Sequence, residues 1–454
     1  VADRLRRPGL RSRVIDQAFD IAIVGGGASG TLLALHLMRQ SSSQLCVALI
    51  DRSGVFGRGV AYANGAADHL LNTRIGDMSA WPDDPGHLIR WLPQGTHDFV
   101  ERRHYGSYLA AELQQAVIAS EGRLVLVQAE VTRLESNAGA TTLRLADSTS
   151  LVASRIVLAT GHRPPSADQA AFHGNPWNEA ALAELSPSAE LLLIGTGLTM
   201  IDMVVALTKR GHQGRILALS RRGLLPRMHP AHHPKTDPTV LSPSVLQGEL
   251  SARLAAFRQL VRGGTPWIAV MLALRPQTAE LWHGLTEAQQ RRFLRHLRPW
   301  WDTHRHRTAP ETGTIIEKRL AEGSLTILKG RLAAVVPAVD HIQATIVTKT
   351  APSGTVMRFD RAIDCRGPRN DIAPDAGLLA ALADDGLVRP DRFGLALDVD
   401  EDGRVFDEHG SPSPELFALG PLTRGLHWEV TAIPDIRKRA ERLASLLASE
   451  LRPA

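Results

Sequence analysis

Only two cysteines occur in the 454 residues, Cys46 and Cys365, far apart and in no Cys-x-x-Cys pair. That scarcity argues against a disulfide framework, a cysteine zinc site and the redox dithiol of a disulfide reductase, and it suits a reducing, cytoplasmic compartment. Long hydrophobic runs are missing too. The longest conspicuous one is Trp267–Leu274, against the roughly 18 residues of a membrane helix, so no membrane partner is expected. Neither sign of charge dominates: 52 Lys and Arg stand against 47 Asp and Glu for a net +5, and the arginines are scattered, so no nucleic-acid partner is expected either. Aromatics make up 5%, which leaves Trp300, Trp301 and Trp428 conspicuous. The first 19 residues hold five arginines with no apolar stretch behind them. They do not suit a secretory or twin-arginine signal and read as a flexible arm.

What is present is enough for sizeable cores, at 44% hydrophobic residues. A single core stops growing near roughly 250–300 residues, so two domains with an insert are expected. Residues 20–24 are an apolar run suited to a strand buried on both faces. Gly25-Gly26-Gly27-Ala28-Ser29-Gly30 follows, then a helical stretch, then a second apolar run ending at Asp51. Each part of this G-x-G-x-x-G unit has a physical reason. Gly25 permits the tight turn, Gly27 lets the backbone approach a pyrophosphate, and Gly30 lets helix and strand pack closely. The helix start offers N–H groups to phosphate, and Asp51 can accept from ribose hydroxyls.

The pattern returns after an apolar strand at 190–194, as Gly195-Thr196-Gly197-Leu198-Thr199-Met200. Met200 replaces the third glycine, so a dinucleotide half that has lost its ligand is the competing reading. Ser220, Arg221 and Arg222 stand where the first unit has its acid. An arginine there suits a 2′-phosphate and hence NADPH over NADH; two solvated surface arginines are the alternative.

Other segments fit the same plan. Residues 155–160 form a strand ending at Thr160-Gly161, where small residues leave a cofactor room. Residues 361–367 repeat this, and 416–420 run as a strand into Gly420. A helix starting at Pro434 carries apolar Ile436, Ala440, Leu443 and Leu447 at helical spacing. Its positive end can face the pyrimidine edge of a flavin. Residues 225–310 differ, with helical stretches at 249–262 and 287–297. They hold His229, His232, His233, His304, Arg305, His306 and Arg307, with Asp302 nearby. No cysteine joins these histidines and their spacing matches no metal motif, so no metal is expected. The fold class expected is α/β, with two Rossmann-like dinucleotide-binding domains, a discontinuous FAD domain and a helical insert. Boundaries are placed at 1–19 for the arm, 20–165 for the first FAD part and 166–227 for the NAD(P) domain. The insert takes 228–310, a return segment 311–360, and the second FAD part 361–454.

With Gly57-Arg58-Gly59-Val60-Ala61-Tyr62, His69-Leu70-Leu71-Asn72, Met78-Ser79-Ala80 and Pro82-Asp83-Asp84-Pro85, the chain resembles a known group. Tyr105-Gly106-Ser107-Tyr108-Leu109, Gly197-Leu198-Thr199 with Asp202, and Ser220-Arg221-Arg222-Gly223 extend the likeness. So do Trp301-Asp302-Thr303-His304-Arg305, Gly420-Pro421-Leu422-Thr423-Arg424-Gly425 and Trp428-Glu429-Val430-Thr431-Ala432-Ile433-Pro434. The group is the FAD/NAD(P)-binding flavoproteins that include FAD-dependent urate hydroxylases and L-aspartate N-monooxygenases. The likeness runs from about residue 20 to 439.

The resemblance implies FAD at the first glycine unit and NAD(P)H at the second, with the flavin bordered by residues 69–79 and 428–432. Together with the motifs it assigns to FAD Gly25, Gly27, Ala28, Ser29, Gly30, Asp51, Arg52 and Arg58. It adds Leu71, Asn72, Met78, Ser79, Val131, Thr160, Gly161, Gly420, Trp428 and Ala432. Gly195, Gly197, Leu198, Thr199, Ser220, Arg221 and Arg222 fall to the nicotinamide nucleotide. Asn72, Trp428 and Glu429 are the candidates nearest the reacting ring; a turn residue, a core residue and a helix-flanking charge are their bland alternatives. The activity implied is an NAD(P)H-driven monooxygenase that hydroxylates a small substrate with dioxygen through a flavin C4a-hydroperoxide. His229, His304 and Arg307 suit an anionic, nitrogen-containing substrate. A flavin reductase or dehydrogenase with another acceptor shares every motif. So does a non-catalytic redox sensor, which Met200 favours.

Overall fold

The computed structural model describes residues 18–40, 44–62, 69–137, 139–162, 168–169, 171–231, 241–367, 372 and 377–451. His232 and His233 lie outside them. In chain order the first domain runs through β1 (Ala18–Val24), α1 (Ala28–Arg39), β2 (Val47–Asp51), α2 (Arg102–Ala119) and β3 (Leu124–Gln128). It continues with β4 (Val131–Asn137), β5 (Ala140–Leu145) and β6 (Ser150–Leu158). The second domain follows with β7 (Phe172–His173), β8 (Leu191–Ile194), α3 (Leu198–Lys209) and β9 (Ile216–Ser220). The insert supplies α4 (Leu250–Arg262), α5 (Trp267–Leu274), α6 (Thr278–His283), α7 (Glu287–Arg292) and α8 (Arg298–Arg305). After it come α9 (Pro310–Ala321), β10 (Leu325–Lys329), β11 (Arg331–Pro337), β12 (Ile342–Val347), β13 (Thr355–Phe359) and β14 (Arg361–Asp364). The chain then returns to the first domain with β15 (Arg404–Phe406), β16 (Pro412–Ala418) and α10 (Ile433–Glu450).

β1 is central because its Ile21, Ala22 and Ile23 are fully buried, apolar on both faces. The first sheet is ordered β15-β16-β6-β1-β2-β3, parallel except at β15, with the β4–β5 hairpin leaning on β6. One face packs on α1, α2 and α10; the predicted stripe Ile436, Ala440, Leu443 and Leu447 is wholly buried there.

The second sheet, β10-β9-β8-β14-β7, is all parallel. It repeats the first: β8 lies between β9 and β14 as β1 lies between β2 and β6. This corrects the boundary expected at 361. β14 pairs residue for residue with β8, Ala362 opposite Leu192 and Ile363 opposite Leu193, so it belongs to the second sheet. The apolar pair Ala362 and Ile363 is fully buried, as an interior parallel strand requires.

The expected helix at 287–297 ends early, at Arg292, and a π-turn spans Phe293–Leu297 before α8 begins. Pro299 has no N–H for the carbonyl of Arg295, so the ladder slips there. Among the described residues no helix is long and apolar enough to cross a membrane.

Candidate functional site

Register brings the ends of β1, β2 and β6 level, with Val24 opposite both Ile50 and Leu158. The chain must then turn sharply beneath α1. Gly25 does so at φ +116°, and a Cβ there would lie 2.3 Å from the carbonyl oxygen of Ala159. A Cβ on Gly30 would sit 2.0 Å from the Gly25 oxygen. Both glycines are therefore demanded by the protein's own packing. Gly27 is different: its Cβ would meet only Gly59 Cα, at 3.6 Å. It caps α1 in an extended conformation without a side-chain cap, so the N–H groups over Ala28 and Ser29 are left for a ligand. Gly420 closes against this turn at φ +74°, where a Cβ would strike the Ser29 hydroxyl at 2.3 Å. The cradle fits the pyrophosphate of a dinucleotide.

Asp51 is busier than expected. Its Oδ2 accepts from Gly26 N at 2.8 Å, and its Oδ1 from Ser53 N at 2.9 Å and Ser53 Oγ at 2.6 Å. A carboxylate has about four acceptor sites, so one on Oδ2 remains for a ribose. Arg52 is exposed and 3.9 Å from Glu130, while the Arg58 stem lies against Gly106 of α2. Leu71, Met78 and Val131 are buried in the two cores of this domain. Ser79 is fully buried; its hydroxyl donates to Asp84 O at 2.7 Å, and its carbonyl accepts from Arg437 of α10 at 2.6 Å. Thr160 and Gly161 emerge from the end of β6, with open space over Gly161, and Ala432 caps α10.

The second unit copies the first. Gly195 turns at φ +118°, and its Cβ would lie 2.5 Å from the carbonyl oxygen of Cys365 at the end of β14. Nothing lies within 4 Å of a Cβ on Gly197, which caps α3 without a side-chain bond. This cradle is open and fits a phosphate; Leu198 and Thr199 form its first turn. Met200 is fully buried against Leu191, Leu193 and Ala218, so it serves the core in the missing glycine's place. The Ser220 hydroxyl accepts from Thr196 Oγ1 at 2.8 Å and Gly223 N at 3.0 Å. Arg221 is exposed at the rim. Arg222 is not free: its Nη2 donates to Arg295 O at 3.1 Å, the carbonyl that Pro299 leaves unserved.

Between the first domain and the insert lies a cleft of about 440 Å³, its open mouth included. Asn72, His229 and Arg307 all line it, so three predicted residues meet there. Arg74, Arg275 and Arg305 join them. Three of these cations have acids: Arg74 pairs with Asp98, Arg275 Nη1 with Asp77 at 3.4 Å, and Arg305 Nε with Glu429 Oε2 at 2.8 Å. Arg307 has none within ion-pairing distance among the described residues, and its Nε lacks any acceptor although it is 7% exposed. Burial, then Arg305, Arg275 and Arg74, pull its pKa down to about 10, so it stays charged. Burial and the Arg307 charge bring His229 down to about 4, so it is neutral, and its Nε2 meets Asn72 O at 3.0 Å.

Glu429 forms the wall behind Arg305. Burial pushes its carboxyl up, but Arg305, His306 and the Trp301 indole N–H, 2.7 Å from Oε1, outweigh this and hold it below the usual range. Two candidates sit elsewhere. His304 packs edge-on to Trp267 at 5.0 Å and bonds Trp300 O, outside the cleft. Trp428 stacks on Trp282 at 5.1 Å within the insert's aromatic cluster. Arg74 and Arg275 were missed in the sequence. Nothing marks an isolated arginine until the fold brings residues 74, 275, 305 and 307 together. Among the described residues no three His, Cys, Asp or Glu lie close enough to hold a metal.

Residues 22–163 match the family described as FAD-NAD(P)-binding. No curated protein matches the chain in sequence. Among solved structures, ornithine N-hydroxylase of Kutzneria sp. 744 superposes at TM-score 0.64 with 14% identity, covering 96% of this chain and 100% of that one. L-Lysine 6-monooxygenase from Pseudomonas syringae gives 0.64 at 16% identity, over 96% and 100%. Lactococcus lactis thioredoxin reductase gives 0.55 at 14% identity, over 95% and 100%. The fold is therefore the α/β arrangement of two Rossmann-like domains shared by flavin monooxygenases and thioredoxin reductases, as expected from the two glycine units.

Proposed function

We propose that this FAD-NAD(P)-binding chain is an NAD(P)H-driven, FAD-dependent monooxygenase acting on a small, anionic, nitrogen-containing molecule. The observation that carries the substrate class is Arg307, a buried guanidinium without a counter-ion at the floor of the Asn72 cleft. A buried charge is costly unless paired, so the site is built for an anion that arrives from outside. The hydroxylases of ornithine and lysine on the same fold support a nitrogen-containing substrate and oxygen insertion. Cys46 and Cys365 are both free, one just before β2 of the first sheet and the other just after β14 of the second, and offer no dithiol of the reductase kind.

In this reading the Gly27 and Ser29 turn holds the FAD pyrophosphate, and Asp51 keeps that turn in place. The Gly197 turn holds the nicotinamide nucleotide, with Arg221 at the rim for a 2′-phosphate. FAD, held there, would supply the acceptor for hydride from NAD(P)H and the means of activating dioxygen. Arg307 and Arg305 seat the substrate carboxylate; neutral His229 fixes the Asn72 backbone beside it, its Nε2–H donating to Asn72 O. Glu429 keeps Arg305 turned to the cleft.

The test is to supply NADPH or NADH, dioxygen and a panel of amino acids and other small anionic amines to the FAD-loaded protein. Product and hydrogen peroxide are measured together. Hydroxylated product in step with nucleotide consumption is expected for one anionic amine. Peroxide alone, at a rate no panel member changes, would favour the reductase reading, and failure of both nucleotides to reduce the flavin the redox-sensor reading.

A further inference from the structure

Two tryptophans of the insert donate their indole N–H groups to the same turn of the first domain. Trp282 of α6 donates to Gly425 O at 3.0 Å, and Trp301 of α8 to Glu429 Oε1 at 2.7 Å. That turn leads straight into α10: the Glu429 carbonyl accepts from Thr431 N at 2.7 Å and from the N–H of the cap residue Ala432 at 3.3 Å. The two acceptors are not equivalent. A backbone carbonyl only fastens the insert, whereas a carboxylate has a second oxygen to engage another group.

That second oxygen meets Arg305. Trp301 and Arg305 stand four residues apart on α8 and so share one face of it. They close on the two oxygens of one carboxylate, the indole on Oε1 and the guanidinium Nε on Oε2, an ion pair at 2.8 Å. The Arg305 and Glu429 side chains are only 9% and 8% exposed. A carboxylate held at one oxygen can still turn about its own axis; held at both it cannot, and Arg305 is fixed with it. The Nη2 of Arg305 is then left over. It is buried without a hydrogen-bond partner among the described residues, and Asp435 Oδ2, at 3.9 Å, is too far to serve. Arg305 lines the basic cleft beside Arg307, whose Nε is orphaned in the same way. Buried donors left like this are costly until an acceptor reaches them.

We infer that Trp301 is a positioning residue for the cleft: by holding Oε1 of Glu429 it fixes Arg305 so that Nη2 is presented to a carboxylate bound beside Arg307. Trp301 is not itself in the cleft lining and acts only through Glu429. The inference rests on the cleft being the substrate site, and it is read from binding without turnover, so the redox reading can fail separately.

The probe is acetate, titrated into the FAD-loaded protein without nicotinamide nucleotide and followed by calorimetry. Arg307→Met locates the signal in the cleft by abolishing it. Two matched variants then divide positioning from fastening. Trp301→Phe keeps an aromatic ring and removes the N–H to Glu429, and Trp282→Phe does the same for the N–H to Gly425 O. Trp301→Phe is expected to raise the acetate Kd about tenfold, because one charge-assisted contact loses its fixed geometry. Trp282→Phe should leave that Kd unchanged, although thermal unfolding shows both variants to be less stable. For any amine the protein hydroxylates, KM should follow the acetate Kd and kcat should not change. If Trp301→Phe loses its FAD or its circular dichroism, Glu429→Gln carries the test. It offers one acceptor oxygen to two donors and should weaken acetate to a similar degree. An acetate Kd untouched in Trp301→Phe, or raised equally in both tryptophan variants, would overturn the positioning role and leave the cleft reading standing. No saturable acetate binding by the native protein would overturn the cleft reading and the inference with it. The expected Kd pattern without hydroxylation of any amine would support the positioning role and count against the monooxygenase reading alone.

Discussion

Arg102 of α2 and Asp202 of α3 meet across the seam of the two nucleotide-binding domains, Nη2 to Oδ2 at 2.9 Å. Arg102 also donates to Leu70 O at 3.3 Å and lies 5.6 Å over Trp177. One guanidinium thus ties the loop before Asn72 to the second turn of the helix that starts at Gly197. Asp202→Asn is expected to slow flavin reduction by NAD(P)H about tenfold while FAD content stays the same, as a misplaced donor would. Anaerobic stopped-flow reduction measures it.

The same pair has a pH signature. Burial raises the Asp202 carboxyl from 3.8 to about 6, with Arg102 pulling the other way. Between those values the folded state binds more protons than the unfolded chain, so this group's contribution to stability falls as pH rises through the window. Subtracting the pH dependence of Asp202→Asn from that of the native protein, by denaturant midpoints from pH 4 to 7, should leave a descending difference.

The glycines separate packing from ligand. Gly25→Ala and Gly195→Ala force a Cβ into a carbonyl and a disfavoured φ, and should lower expression and thermal stability. Gly27→Ala and Gly197→Ala meet no such contact. They should fold normally yet lose FAD and nicotinamide nucleotide respectively, as read by flavin content and nucleotide Kd.

Both glycine units were legible because a tight turn between a buried strand and a helix leaves a local pattern of a few residues. The stripe on α10 was legible for the same reason. The cleft was only half so: Asn72, His229 and Arg307 were named, but Arg74 and Arg275 carry no local signal. β14 was misassigned because a short apolar strand says nothing of which sheet it joins. Its partner is chosen by long-range packing. Asp51 shows the reverse limit: the motif marks the residue but not that two of its bonds serve Ser53.

Nucleotide preference should sit on one arginine. Arg221 is exposed at the rim, while Arg222 is engaged with Arg295 O. Arg221→Ala should raise the NADPH KM about tenfold and leave the NADH KM unchanged, since only the 2′-phosphate contact is lost. Equal changes with both nucleotides would show that Arg221 does not read the 2′ position.

The strongest consequence follows from Arg307. In the absence of an anion it is a buried charge beside Arg305, Arg275 and Arg74, so the free protein carries a cost that substrate relieves. Arg307→Met removes the charge and keeps much of the volume. The variant is expected to be more stable than the native protein, by about 1–3 kcal/mol in denaturant unfolding, because the like-charge repulsion and desolvation vanish. Its substrate KM should nevertheless rise at least about tenfold, with flavin reduction by NAD(P)H unchanged. That KM should also be flat from pH 6 to 8 in the native enzyme, because His229 is already neutral throughout that range. A structural arginine would behave oppositely. Its removal would destabilise the fold and leave the KM alone, and unfolding curves beside initial rates for the one variant distinguish the two.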